Sequence, residues 1–280
     1  IPTTNTPWAD TLSDTLGKAR AGSPDAQNAL GKAYATGQGL PKDWSAASEW
    51  FLVAADQGHT QAQYNLGVLL MDKQDRSAED LTEAREWLRH AAEAGLTSAQ
   101  YRLAELARTG LGGARNPSQA VAFYRKAAEQ GHTRSQYNLG LMYQLGTGVS
   151  QSFSDAAHWF RLAAEQSLPE AQLKMGNLHQ AGNGVEQDDA IAVDWYRKSA
   201  EAGYALAQSN LGIMYAAGRG VPQDMVMAYA WMDLAVKADI ESSGQWLRQI
   251  ASKLTPGEKT EAKNLAKELA KKVGRDRVER

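Results

Sequence analysis

A fixed period constrains this chain more than any other feature. Large aromatic residues recur at Trp50, Trp87, Phe123, Trp159, Trp195 and Trp231, spaced by 37 residues once and by 36 four times. The stretch 207–242, AQSNLGIMYAAGRGVPQDMVMAYAWMDLAVKADIES, returns in recognisable form five times upstream. A period of this size marks an array in which each unit is one supersecondary motif, unable to bury its apolar side alone and stabilised by its neighbours. The 280 residues therefore count as six full units and two ends rather than as globular domains.

Each unit reads as helix A, a Gly-rich turn, helix B and a Gly stop. Helix A is expected to open at Ala26, Ala62, Ala99, Ser135, Ala171 and Ala207, with Leu30, Leu66, Leu103, Leu139, Met175 and Leu211 four residues later. The next column is Gly31, Gly67, Ala104, Gly140, Gly176 and Gly212; glycine there costs about 1 kcal/mol relative to Ala, so its recurrence predicts two backbones in close approach. A GxG turn follows in five units, at Gly37 and Gly39, Gly110 and Gly112, Gly146 and Gly148, Gly182 and Gly184, and Gly218 and Gly220. Asp43, Asp80, Asn116, Ser152, Asp188 and Asp224 then occupy one slot, and all are good N-cap types for helix B. The second unit replaces its turn with the charged MDKQDRSAED, and the fourth stops at Ser167 where others have Gly. Both departures read as drift on a surface loop or as places where a specific function was added.

The ends differ from the array. Residues 1–7 are expected to form a loose lead-in, and Trp8, Leu12 and Leu16 share one side of a capping helix that ends near Gly22. Beyond Ser242 one helix carries Trp246, Leu247 and Ile250. Thr255 and Glu258 then form a capping box that opens a last helix running to about Val273. Residues 253–280 hold nine Lys or Arg against five Asp or Glu, while the whole chain is −2. That balance supplies no field for nucleic acid, and the basic tail is expected to touch an acidic surface only weakly.

The unit A-Q-x-N-L-G-x-x-Y-x-x-G-x-G-V-x-x-D, followed by A-x-x-W-Y-x-x-A-A-x-x-G, resembles the Sel-one-like repeat (SLR), a relative of the tetratricopeptide repeat. The resemblance implies an all-α, right-handed α/α solenoid of six helix-turn-helix repeats with N- and C-terminal capping helices. The expected organisation is lead-in and cap at 1–24, six repeats at 25–242, and capping helices with a basic tail at 243–280. It implies a non-enzymatic adaptor, regulator or scaffold that binds a protein or peptide with helix A lining a concave face. An immunity or inhibitor protein against a secreted bacterial effector is the alternative, and an enzyme acting on β-lactams or cell wall the second. Bacterial members are secreted or periplasmic in some cases, so that location is expected here, with cytoplasm as the alternative.

The residues offer no chemistry of their own. Cysteine is absent, which removes disulfides, thiolate metal sites and a Cys nucleophile together. No two of the five histidines have metal-ligand spacing, the GxG turns lack the strand context of a phosphate cradle, and no cofactor is expected. His158 and His179 read as packing variants. No run of 18 apolar residues occurs to span a membrane.

What remains is the helix A surface. Taking Ala62, Leu66 and Leu70 as buried, positions 64 and 68 project to the opposite side. Across the repeats these two columns give Tyr64, Val68, Tyr101, Glu105, Tyr137, Leu141, Leu173 and Ile213 as the expected partner-binding residues, since tyrosine supplies contact area with a polar handle. The same residues could instead pack between neighbouring helices. The invariant column Gln27, Gln63, Gln100, Gln136, Gln172 and Gln208 is assigned to hydrogen bonds between repeats.

Overall fold

The computed structural model describes residues 7–278, and the side chains of residues 12–273. Residues 1–6 of the expected lead-in and the Trp8 side chain of the expected cap lie outside the described residues; Pro7 already opens the first helix. The described secondary structure comprises fifteen helices. They are α1 (Pro7–Arg20), α2 (Pro24–Thr36), α3 (Trp44–Asp56), α4 (Thr60–Asp72), α5 (Ala78–Glu93), α6 (Thr97–Thr109), α7 (Pro117–Glu129) and α8 (Thr133–Leu145). The remainder are α9 (Phe153–Glu165), α10 (Pro169–Ala181), α11 (Asp189–Glu201), α12 (Ala205–Ala217), α13 (Met225–Lys237), α14 (Glu241–Lys253) and α15 (Pro256–Val278).

The chain forms two compact bodies, residues 1–135 and 136–280. In the first, α1 packs on α2 and each later helix packs on the one before it through α7, so a helix B lies between the helix A of its own repeat and that of the next. In the second, α9 to α13 continue the same alternation, α14 packs on α13, and α15 turns back against α13 and α11. Lys272 reaches Glu201 of α11 at 3.0 Å from that position. The last helix runs past the expected Val273 to Val278.

Capping chemistry sets the register of helix B. The side chains of Asp43, Asn116, Ser152, Asp188 and Asp224 each accept from a backbone N–H of the first turn, as their residue types require. Asp80 departs from the expected role. Ser77 caps α5, and Asp80 sits at the third helical position, its carboxylate accepting from Ser77 N at 2.6 Å while Ser77 Oγ accepts from Asp80 N at 3.0 Å. This capping box starts α5 three residues early and makes it 16 residues long. The bond from Ser77 N, with Lys73 beside it, holds the Asp80 carboxyl below the usual carboxylate range. The Thr255–Glu258 box forms as its spacing predicts, with Glu258 Oε2 2.7 Å from Thr255 N.

Helix A opens two residues before the expected alanines, at Pro24, Thr60, Thr97, Thr133, Pro169 and Ala205. Two histidines cap it. His59 Nδ1 accepts from Ala62 N at 3.0 Å, and His132 Nδ1 accepts from Ser135 N at 3.2 Å. Sequence columns alone placed these residues in one register without showing their use as acceptors.

The glycine column is explained by rings more than by backbones. A Cβ on Gly31, Gly140 or Gly176 would come within 2.4–2.7 Å of the ring of Phe51, Phe160 or Tyr196 in the paired helix B. At Gly67 the Leu88 side chain is nearest, at 2.7 Å, with the Ala84 carbonyl at 3.0 Å, and at Gly212 the Ala228 carbonyl is nearest, at 3.1 Å. The expected close approach of two backbones is thus corrected in three repeats to a flat aromatic side chain inserted between helices, which the small-residue column makes room for.

The invariant glutamines do join repeats. Gln27, Gln63, Gln100, Gln172 and Gln208 are buried, and each Nε2 donates to the carbonyl of Ala19, Ala55, Ala92, Ala164 or Ala200 at the end of the preceding helix, at 3.1–3.3 Å. These bonds satisfy orphan carbonyls of a helix C-terminus inside the stack.

Candidate interaction surface

In the body 1–135, Tyr64 and Val68 stand on α4 and Tyr101 and Glu105 on α6, all half-buried. Tyr64 packs against the cluster of Leu88, Ala91, Ala99 and Leu103, which belongs to the helix B of its own repeat and the helix A of the next. Tyr101 lies with its ring 4.7 Å from the His132 ring and 6.2 Å from Tyr124. Burial raises the Tyr101 hydroxyl above the ordinary tyrosine range, with Glu105 adding to the effect. In the body 136–280, the Tyr137 ring packs 5.7 Å from Phe160, and Leu141 covers the same cluster.

These positions are therefore not opposite the core, as helical projection from one buried face suggests. α4 and α6 have helices packed on two sides, and 64, 101 and 137 face the helix B of their own repeat. Leu173 shows the limit of this arrangement: it is 7% exposed, joins the core with Val193 and Tyr196, and is withdrawn as a partner-binding residue. Ile213 is half-buried against Met232 and Ile250.

The second column answers the buried residue of helix B. Tyr124 donates its hydroxyl to Glu105, and Arg108 holds the other carboxylate oxygen at 2.7 Å. Burial, followed by Glu105, raises the Tyr124 hydroxyl well above its usual range. Tyr196 donates to Asn177 at 2.8 Å and to Gln180 at 3.0 Å, and burial pushes its pKa up to about 12. At Phe160 and Met232, which lack a hydroxyl, the column holds the apolar Leu141 and Ile213, and opposite Phe51 it holds the exposed Lys32. Burying a hydroxyl without a partner costs about 1–3 kcal/mol, so the acceptor at 105 and 177 is a structural requirement. Glu105 is consequently committed inside its own repeat. The signal was present in the sequence as a pairing of column 124/196 with column 105/177, and reading each column separately concealed it.

Two tyrosines keep the features of a recognition residue. Tyr64 and Tyr101 are partly accessible, on successive A helices of one body, and neither hydroxyl bonds another described residue. Val68 accompanies Tyr64 on α4. His158 is exposed against the Trp159 ring, 5.0 Å away, and His179 is buried with Nδ1 3.1 Å from the Glu186 carbonyl, so both have packing roles. No cluster of His, Asp and Glu able to hold a metal occurs among the described residues. No described helix is long and apolar enough to cross a membrane.

The family model of the Sel1 repeat matches six consecutive segments, 24–59, 60–96, 97–132, 133–168, 169–204 and 205–240. The chain belongs to the Sel1 repeat family. Its fold is accordingly an all-α solenoid, and Sel1 repeats are protein-interaction modules without a catalytic assignment. Among solved structures this Sel1 chain is similar to a protective antigen present in uropathogenic Escherichia coli strains that displays an SLR fold. They share 35% identity at a TM-score of 0.79, over 95% of this chain and 57% of that one. A Sel1 repeat protein from Oxalobacter formigenes shares 36% identity at a TM-score of 0.69, over 83% of this chain and 67% of that one. The C-terminal part of a TPR repeat-containing protein from Cytophaga hutchinsonii shares the fold at 16% identity, with a TM-score of 0.53 over 85% and 93% of the two chains. The chain spans little more than half the length of the E. coli antigen. No curated protein matches it.

Proposed function

We propose that this Sel1 chain binds a protein or peptide partner without catalysing a reaction, and that Tyr64 and Tyr101 on α4 and α6 are the anchors of the contact. The reading is carried by their geometry: two half-exposed rings on neighbouring A helices, each fixed from behind by packing and each with a hydroxyl left for a partner. A preordered aromatic loses little entropy on binding, which is why such residues dominate interface energies. Tyr137 holds the corresponding place in the body 136–280. A site of action outside the cytoplasm belongs to the same proposal, supported by the likeness to a protective antigen. A weak contact of the basic C-terminal helix with acidic surfaces accompanies it, through Lys263, Lys267 and Lys271 on the exposed side of α15.

The test is partner capture with Tyr64→Ser and Tyr101→Ser, singly and together. Removing a tyrosine anchor is expected to weaken capture by about tenfold or more, with the double variant losing it. The melting temperature is read in parallel, because both rings also pack. Unchanged capture by a folded double variant ends the proposal.

A further inference from the structure

In three repeats the Gly-rich turn reaches back onto the preceding repeat. A Cβ on Gly112, Gly184 or Gly220 would stand 2.7, 2.2 or 2.1 Å from the backbone of Leu81, Phe153 or Asp189. Each of those residues directly follows the cap slot of the preceding helix B and is half-buried there. The aliphatic residue after that glycine completes the seat. Val185 packs against the cluster that contains Ala157 and Leu178, and Val221 against the cluster that contains Val193 and Met214. In the third repeat the position is Gly113, and the Arg85 guanidinium lies against it, 3.1 Å from where a Cβ would be.

The second repeat has no such turn. Asp75, Arg76 and Ser77 stand in its register, all exposed, and Arg76 Nη1 is occupied with the Met71 carbonyl at 3.1 Å. The helix start that the turn would cover belongs to α3, and its first residue, Trp44, is 40% exposed. A notch of about 300 Å³ opens there, lined by Trp44, Ser45, Ser48, Leu69, Leu70 and Lys73. Ser48 and Leu69 are the counterparts, in register, of Ala157 and Leu178 and of Val193 and Met214. The notch is therefore the seat of a Gly-Val turn from which the turn is missing.

We propose that this notch receives a tight glycine-containing turn of a partner protein, with a valine or leucine side chain seated between Trp44 and Leu69 as Val185 and Val221 are seated elsewhere in the chain. The occupant is defined by the fold itself, because the same seat is filled in other repeats by that chemistry. At the rim, Lys42 Nζ stands 5.1 Å from the centre of the Trp44 ring, while Lys73 is already paired with Asp80 at 3.0 Å. The inference rests on the reading of the chain as a protein-interaction module, at a surface separate from Tyr64 and Tyr101.

The probe is a cyclic peptide carrying Gly-Asn-Gly-Val-Glu-Gln-Asp, the sequence of residues 182–188, and its analogue with serine for valine. The protein is labelled with 5-fluorotryptophan, and the Trp44 resonance is assigned with Trp44→Phe. The valine peptide is expected to shift that resonance saturably, and the serine analogue to bind about tenfold more weakly or less, since burial of one valine is at stake. Ser48→Leu, which fills the floor of the notch, and replacement of residues 72–80 by the regular turn should each abolish the shift. Tyr64→Ser and Tyr101→Ser should leave it unchanged, so failure of the anchor proposal and failure of this one are told apart. No shift at millimolar peptide, equal binding of the two peptides, or binding that survives in folded Ser48→Leu overturns the inference.

Discussion

Gln130 Nε2 donates to Gln100 Oε1 at 2.8 Å, the end of a helix B completing the buried amide of its own helix A. Gln57 serves Gln27 and Gln166 serves Gln136 in the same way, at 2.7 and 2.8 Å. In the fifth repeat the corresponding residue is Ala202, and Gln172 Oε1 is buried without a hydrogen-bond partner. Ala202→Gln should supply the missing donor and raise stability by about 1 kcal/mol. Urea unfolding of the two proteins measures it, and an unchanged midpoint would show that Gln172 Oε1 is already satisfied in solution.

Ser167 ends α9 with φ 63°, where Gly58, Gly95, Gly131 and Gly203 end four other B helices at φ 80–93° and Asp239 follows α13 at φ 59°. A side chain in this left-handed region costs about 1–2 kcal/mol. Ser167→Gly is therefore expected to stabilise the chain by about 1 kcal/mol, after allowance for the freer unfolded glycine. Thermal melting decides the sign, and a lower melting temperature would refute the strain assigned to Ser167.

Two glycine substitutions separate backbone strain from steric exclusion. Gly58 has φ 80° and nothing within 4 Å of a built Cβ, whereas Gly220 has φ 69° and the Asp189 carbonyl 2.1 Å away. Gly58→Ala should cost about 1 kcal/mol, from conformation alone. Gly220→Ala should cost about 3 kcal/mol or more, because backbone must move as well. Equal losses by denaturant titration would mean that the turn does not sit tightly on the preceding repeat.

His132 makes stability fall on acidification. Burial lowers its pKa below the ordinary 6.5, and its Nδ1 serves as acceptor for Ser135 N, a role only the deprotonated nitrogen can fill. A depressed folded pKa means that the contribution is complete above the unfolded value and is lost as pH falls through the folded one. Stability should thus decline from about pH 6.5 downward. His132→Asn keeps a capping acceptor without the titration, and its stability profile should be flatter across that window. An identical profile for wild type and His132→Asn would place the pH dependence elsewhere.

Repeat number, helix order, most caps and the glutamine ladder were legible in the sequence because each depends on chemistry within a few residues or on a column repeated six times. The Asp80 slot misled because it was assigned by register alone, while Ser77 three residues earlier completes a capping box with it. Leu173 and Glu105 escaped the column reading for a different reason: helical projection allows helix A one buried side, and stacking gives it two.

The sequence by itself determined that this chain is a stack of like helix pairs, since a 36-residue period with capped helices and small-residue columns admits little else. Tertiary structure alone decided which residues the stack leaves available. Leu173 is buried and Glu105 is engaged by a hydroxyl from the paired helix, whereas Trp44 is uncovered by a turn that is absent in the next repeat. Each of those outcomes depends on a neighbour in another helix or another repeat, and no local pattern around the residue carries that information.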